Sequence, residues 1–213
     1  MSRPAVTTAV DAVAAELRRR ILTGDLPPGA RLREAALAGE FDVARHTLRA
    51  ALRALAAEHL VTVEPHRGAH VAVLDEPQVT ALIELRAALE VGAATLLAER
   101  GGLGPPWPDA VERAAAVLES ACAAPRPDRA AVDAAHAALH HAVVAAAGSD
   151  RITAAHAGLA AESRVVLLQS REALPVERMA ALHRDLLDRL ATEGPAVLWA
   201  HLREGARAAH SPA

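Results

Sequence analysis

The sequence predicts a mainly α-helical protein: an N-terminal winged helix-turn-helix with a small β-hairpin wing, then an all-helical antiparallel bundle. Three observations predict it. The composition is 52% hydrophobic but only 1% aromatic, and much of the apolar content is alanine, the best intrinsic helix former. The apolar residues recur at helical spacing almost everywhere and switch to alternation only around Val61 to Val73. Proline and glycine clusters interrupt the pattern at intervals suited to short connections between helices.

The elements follow in order. An amphipathic helix over 6–22 stops at Gly24, and Leu26-Pro27-Pro28-Gly29 is a strong breaker. A short helix over 33–39, the turn Glu40-Phe41-Asp42-Val43 and a third helix over 44–59 form the helix-turn-helix. Val61 and Val63, then Val71 and Val73, alternate on either side of Glu64-Pro65-His66-Arg67-Gly68-Ala69, which reads as a hairpin. Residues 1–74 are expected to form this head and 75–77 a linker, with 78–213 the helical body. The body should contain helices over 77–99, 107–123, 128–147, 151–169, 176–192 and 195–208. Their short connections favour antiparallel neighbours.

Bulk properties exclude several classes. The formal net charge is -3, so the whole chain is no polyanion binder. Residues 1–75 hold ten arginines against nine acids, while the remainder holds thirteen against seventeen, so any nucleic-acid site must be a local patch. The cationic side chains are all arginine, whose fork suits guanine and phosphate. A single cysteine, Cys122, rules out a disulfide framework. The first residues lack the apolar run of a signal peptide, and no stretch offers about 18 uninterrupted apolar residues. A cytoplasmic protein, without a membrane partner, is expected.

On the third helix Leu48, Ala51, Leu52 and Leu55 form one face, and Arg45, Arg49 and Arg53 form a stripe beside it. An arginine stripe placed just after the turn is what a recognition helix needs in the major groove. Arg45, His46, Thr47 and Arg49 are the candidates for base contacts. His66, Arg67 and Gly68 form the wing tip, where glycine permits close backbone approach and an arginine can enter the minor groove. Arg33, opening the second helix, is a candidate phosphate contact.

These segments resemble a known family. Residues 21–34, Ile-Leu-Thr-Gly-Asp-Leu-Pro-Pro-Gly-Ala-Arg-Leu-Arg-Glu, are similar to the opening of GntR-type regulators. The match continues through Leu37-Ala38, through Val43-Ala44-Arg45-His46-Thr47-Leu48-Arg49-Ala50-Ala51-Leu52, and through the wing to His66-Arg67-Gly68. Ala44 departs from the family's usual serine, so Asp42 is expected to cap the third helix instead. Ala50 stands where glutamate is usual. The resemblance implies a metabolite-responsive transcription factor, a homodimer on a palindromic double-stranded operator.

In the body, His136 and His140 lie one helical turn apart on the stripe of Val132, Leu139 and Val143, while His141 falls on the other side and should be solvated. His183 sits amid Val176, Met179, Leu186, Leu187 and Leu190, and His201 shares a side with Val197 and Leu198. Buried histidines need partners, and an i, i+4 pair can hold two positions of a divalent ion. His136, His140, His183 and His201 are therefore the candidate ligands. All-imidazole ligation favours zinc or nickel over oxygen-seeking ions. It also leaves the ion's charge uncompensated, which would draw an anion.

Residues 78–208 resemble the FadR-type C-terminal ligand-binding domain, through Glu84-Leu85-Arg86 with Leu89-Glu90, His136–His140, His183–Asp188 and His201-Leu202. In metal-binding members of that family an acidic residue and three histidines hold a divalent ion beside a small carboxylate effector. Here His136 takes the place of the acidic residue, and the alignment sets Gly205 against His201. Asp133, one turn before His136, is the alternative acidic ligand. Arg86 either binds the effector carboxylate or pairs with Glu90 at i, i+4. A direct divalent-metal sensor is a second reading. A metal-dependent enzyme is a third, and it lacks the general base of an HExxH helix.

Overall fold

The computed structural model describes residues 8–64, 67–171 and 174–208, and the chain forms two compact units, Met1–Val73 and Leu74–Ala213. Among the described residues no helix is long and apolar enough to cross a membrane.

In the first unit, α1 (Ala9–Thr23) starts where Thr8 accepts a hydrogen bond from the Asp11 amide and the Asp11 carboxylate accepts one from the Thr8 amide. Two otherwise orphaned donors are thereby satisfied at once. It ends at Gly24, whose φ of 89° suits a residue without Cβ. Strand β1 (Arg31–Leu32) precedes α2 (Glu34–Glu40) and α3 (Arg45–Ala57), and β2 (Val61–Glu64) and β3 (Gly68–Val71) follow. Val13, Ala14, Leu17 and Ile21 of α1 and Leu48, Ala51, Leu52 and Leu55 of α3 are buried, and these helices pack together. The strands form an antiparallel sheet in the order β1-β3-β2, with Arg31 and Thr62 both opposite His70. β1 was not foreseen, because two residues carry no readable period. The hairpin is present, but β3 stops at Val71 and Val73 is exposed. Ala44 caps α3 with no side-chain bond. Asp42, expected to supply one, instead takes a left-handed φ of 50° in the turn.

The second unit contains α4 (Glu76–Glu99), α5 (Asp109–Ala123), α6 (Arg129–Ala146), α7 (Asp150–Gly158), α8 (Ala160–Gln169), α9 (Val176–Glu193) and α10 (Val197–Ala208). Residues 75–77 are not a linker. Asp75 caps α4 with a reciprocal Gln78 bond, and Glu76 and Pro77 form its first turn, where proline sacrifices no intrahelical bond. The single helix expected over 151–169 is two, separated at Leu159, which directly follows the weak helix former Gly158. The break lets α7 pack on α4 and α6 while α8 packs on α6 in its own direction. Leu97, Trp107, Val111, Leu118, Val132, Leu139, Val143, Leu186, Leu190 and Leu198 form the apolar core, one end of which is the histidine-lined region.

Candidate functional site

In the first unit Arg45, His46, Arg49 and Arg53 are exposed on α3 and Thr47 is half-buried, while the leucine face beside them is closed. Arg33 is exposed at the start of α2. Arg49 Nε donates to Glu34 Oε2 at 2.7 Å, an ion pair between α3 and α2 that fixes the arginine across the helix-turn-helix. Arg67 is 78% exposed and donates to Glu64 at 3.0 Å, and Gly68 has a φ of 86°. His66 lies outside the described residues.

In the second unit the four histidines converge. One ring nitrogen from each of His136, His140, His183 and His201 lies within 4.8 Å of all the others. His136 and His140 are on α6, His183 on α9 and His201 on α10, so the cluster joins three helices. His201, not Gly205, completes it, with its ring 4.8 Å from that of His183 and 5.3 Å from that of His140. Asp133 is not part of it. This buried carboxylate accepts from Arg129 at 2.8 Å and Arg171 at 3.4 Å.

Neighbouring acceptors fix the protons on two of these rings. His183 Nδ1 lies 2.7 Å from the carbonyl of Met179, which can only accept, so Nδ1 carries the hydrogen. His140 Nδ1 lies 2.7 Å from the carboxylate of Glu90 and is a donor by the same reasoning. When both rings are neutral, each presents a lone pair at Nε2, and these two atoms face one another 3.2 Å apart. Two lone pairs at that distance require a proton or a cation between them. Nitrogens bound tetrahedrally to one zinc ion lie about 3.3 Å apart, given Zn–N bonds of 2.0–2.1 Å. His136 Nδ1 is also buried and without a hydrogen-bond partner.

Burial favours the neutral, metal-ready form of three of the four imidazoles, His183, His136 and His201. Burial, reinforced by the neighbouring His140, pulls His183 down to about 3. Burial also holds His136 and His201 well below the usual histidine value, helped by His183 and His140 in turn. The donor set and the orphaned nitrogen fit a divalent transition metal.

The sequence reading missed two members of this region, Glu90 and His156. Glu90, 1% exposed, accepts from Arg86 Nε at 3.1 Å and Nη2 at 2.7 Å, from His140 at 2.7 Å and from His156 Nε2 at 3.1 Å. Burial alone would raise its carboxyl, but the positive charge of Arg86 and the hydrogen bonds from His140 and His156 hold it well below the carboxylate range. The i, i+4 spacing from Arg86 was its one signal, and that pairing is the alternative the structure adopts. The expectation of uncompensated charge is corrected accordingly, since an anion lies one hydrogen bond from the cluster. His141 is not simply solvated. It is half-buried, its ring stacked on that of His156 at 5.7 Å.

Two cavities of about 260 Å³ each adjoin the cluster. The first is walled by His136, His183 and His201 together with Arg86, Ser163 and Arg178. The second lies beside His141 and His156 and shares Arg86, His136 and Ser163 with the first.

The fold and these features describe a winged-helix DNA-binding unit joined to a helical ligand-binding unit. Residues 9–71 match the family model of the bacterial regulatory proteins of the gntR family, and residues 81–204 match the FCD domain. The HTH-type transcriptional repressor GlaR of Escherichia coli (strain K12) is 32% identical over 172 residues, spanning 78% of this chain and 77% of its own. The gluconate operon transcriptional repressor of Bacillus licheniformis is 40% identical over 78 residues, only 37% of this chain and 32% of its own. A transcriptional regulator GntR of known structure from Rhodococcus sp. RHA1 superposes with a TM-score of 0.73 at 25% identity, over 93% of each chain. The chain belongs to the GntR family, and it is a transcriptional regulator with an FCD domain rather than an enzyme.

Proposed function

We propose that the protein is an effector-responsive repressor that binds a palindromic operator as a homodimer. In this reading α3 enters the major groove, where Arg45 and Arg49 contact base edges with His46 and Thr47 beside them. Arg33, Arg67 and the Gly68 backbone hold phosphates and the minor groove. His66, which lies outside the described residues, is proposed as a DNA contact with them.

In the FCD domain, His136, His140, His183 and His201 would hold one divalent transition metal, zinc or nickel. When bound, the ion supplies a Lewis-acidic anchor for an anionic oxygen. The protein's own residues do the rest. Arg86 and Arg178 bring positive charge to the first cavity, Ser163 adds a hydroxyl, and the apolar walls exclude water, which suits a small carboxylate effector. Effector binding then favours an arrangement with lower operator affinity, a shift between existing populations.

The observation that carries the metal part is the facing pair of tautomer-fixed nitrogens, His140 Nε2 and His183 Nε2. The direct test is metal analysis of protein purified without an affinity tag. One equivalent of zinc or nickel is expected, or uptake of one equivalent by metal-free protein. Protein that contains none, takes up none, and whose stability is unchanged in His140→Ala would refute the metal site and leave the regulator assignment intact.

A further inference from the structure

Glu90 is almost fully buried and stands outside the histidine cluster, yet it joins one of the cluster's rings, His140, to two groups that line the cavities, Arg86 and His156. One oxygen, Oε2, receives the hydrogen bond from His140 Nδ1. The other, Oε1, is shared by the Arg86 guanidinium and His156 Nε2. A carboxylate in this position does two things. It holds the proton on His140 Nδ1, so that Nε2 presents its lone pair to the cluster, and it supplies negative charge that makes that lone pair a better donor. That charge is divided, because Arg86 draws on the same carboxylate.

We propose that Glu90 is the positioning residue of the cluster: it fixes the protonation site of His140 and links the ligand strength of His140 to Arg86. It deepens the reading under Proposed function, and only its zinc arm depends on that reading. In physical terms, a group that draws Arg86 away from Glu90 leaves more of the carboxylate's charge to His140 and strengthens metal binding. By reciprocity, a bound metal loosens Arg86 for an anion in either cavity. Arg86 reaches both cavities, so an occupant of either can act on the metal through this one side chain.

The test uses the full chain, freed of metal, with 15N-labelled histidine. Long-range proton–nitrogen correlation spectra should give His140 Nδ1 as a protonated nitrogen in the wild type, and Glu90→Gln should abolish that uniform protonation. In competition with a chelator, Glu90→Gln should bind zinc roughly 10–100-fold more weakly. Arg86→Gln should bind zinc several-fold more tightly, because it removes a cation while leaving Glu90 hydrogen-bonded to both histidines. General damage to the fold does not raise affinity, so this second variant separates positioning from mere structural support, and it decides the matter should Glu90→Gln fail to fold. An unprotonated His140 Nδ1 in the wild type, unchanged zinc binding in Glu90→Gln, or weakened binding in Arg86→Gln would each overturn the proposal. If the wild type binds no zinc, the metal reading fails, and the spectra alone still decide the role of Glu90.

Discussion

Acid should unfold the metal-free FCD domain much more readily than its acidic surface would suggest, and His183 permits a figure. Its pKa is about 3 in the folded state, against 6.5 for a free histidine. The folded state therefore binds fewer protons than the unfolded state between those values. The stability that depends on neutral His183 is complete above pH 6.5 and is lost as pH falls from 6.5 toward 3. Each pH unit in that window costs about 1.4 kcal/mol for this one group. From pH 6.5 to 4.5 the loss is about 2 kcal/mol, a large part of an ordinary domain's stability. His136 and His201, lowered in the same direction, add to the slope. The assay is urea unfolding followed by circular dichroism, in the presence of a chelator, at intervals from pH 8 to 4.5. His183→Gln, which has no proton to gain, should flatten the curve below pH 6.5 by about 1.4 kcal/mol per unit. Parallel curves for wild type and variant would show that His183 is not held neutral, and would refute the electrostatic account of the cluster.

Other expectations follow from the same structure. Arg45→Ala and Arg49→Ala should each cost about 1–3 kcal/mol of discrimination between operator and random DNA without changing the thermal transition, measured by competition binding. Arg67→Ala should weaken operator and random DNA alike, since a wing contact positions the protein more than it reads sequence. If it altered sequence preference instead, its role would have to be revised. Leu118→Ala, at a site 1% exposed in the bundle core, should cost about 2–5 kcal/mol in chemical denaturation while leaving DNA affinity at low temperature unchanged.

Much of the molecule was legible in the sequence because its signals are local. The arginine stripe and leucine face of α3 share one helical period, so their separation follows from spacing alone. His136 and His140 could be placed inward in the same way, as could His183 from its apolar neighbours. What escaped depends on long-range geometry or on the competition of weak preferences. Glu90 is fifty residues from His140 and sixty-six from His156, and nothing in its own helix marks it as their partner. Asp133 is engaged by Arg129, whose i, i+4 spacing is readable in the sequence, and by Arg171 from a distant segment, which is not. The α7/α8 break was hidden because Gly158 is tolerated in many helices, and only the packing of α7 and α8 on their neighbours decides the outcome. The three residues taken for a linker carry a proline, which marks a helix start as readily as a loop.

The ion pairs of the winged head have a consequence for how it searches a genome. Arg18 is paired with Glu58, Arg19 and Arg20 with Glu16, Arg49 with Glu34 and Arg67 with Glu64, whereas Arg31, Arg33, Arg45 and Arg53 carry no ion pair among the described residues. An arginine already neutralised by its own chain displaces few condensed cations from a DNA backbone. The head should therefore release fewer counterions than the ten arginines of residues 1–75 would suggest, giving a correspondingly shallow slope of log affinity against log salt. Such a protein holds random DNA loosely at physiological salt and leaves it quickly. On the proposed reading of α3, residence at an operator rests on base edges able to draw Arg49 away from Glu34.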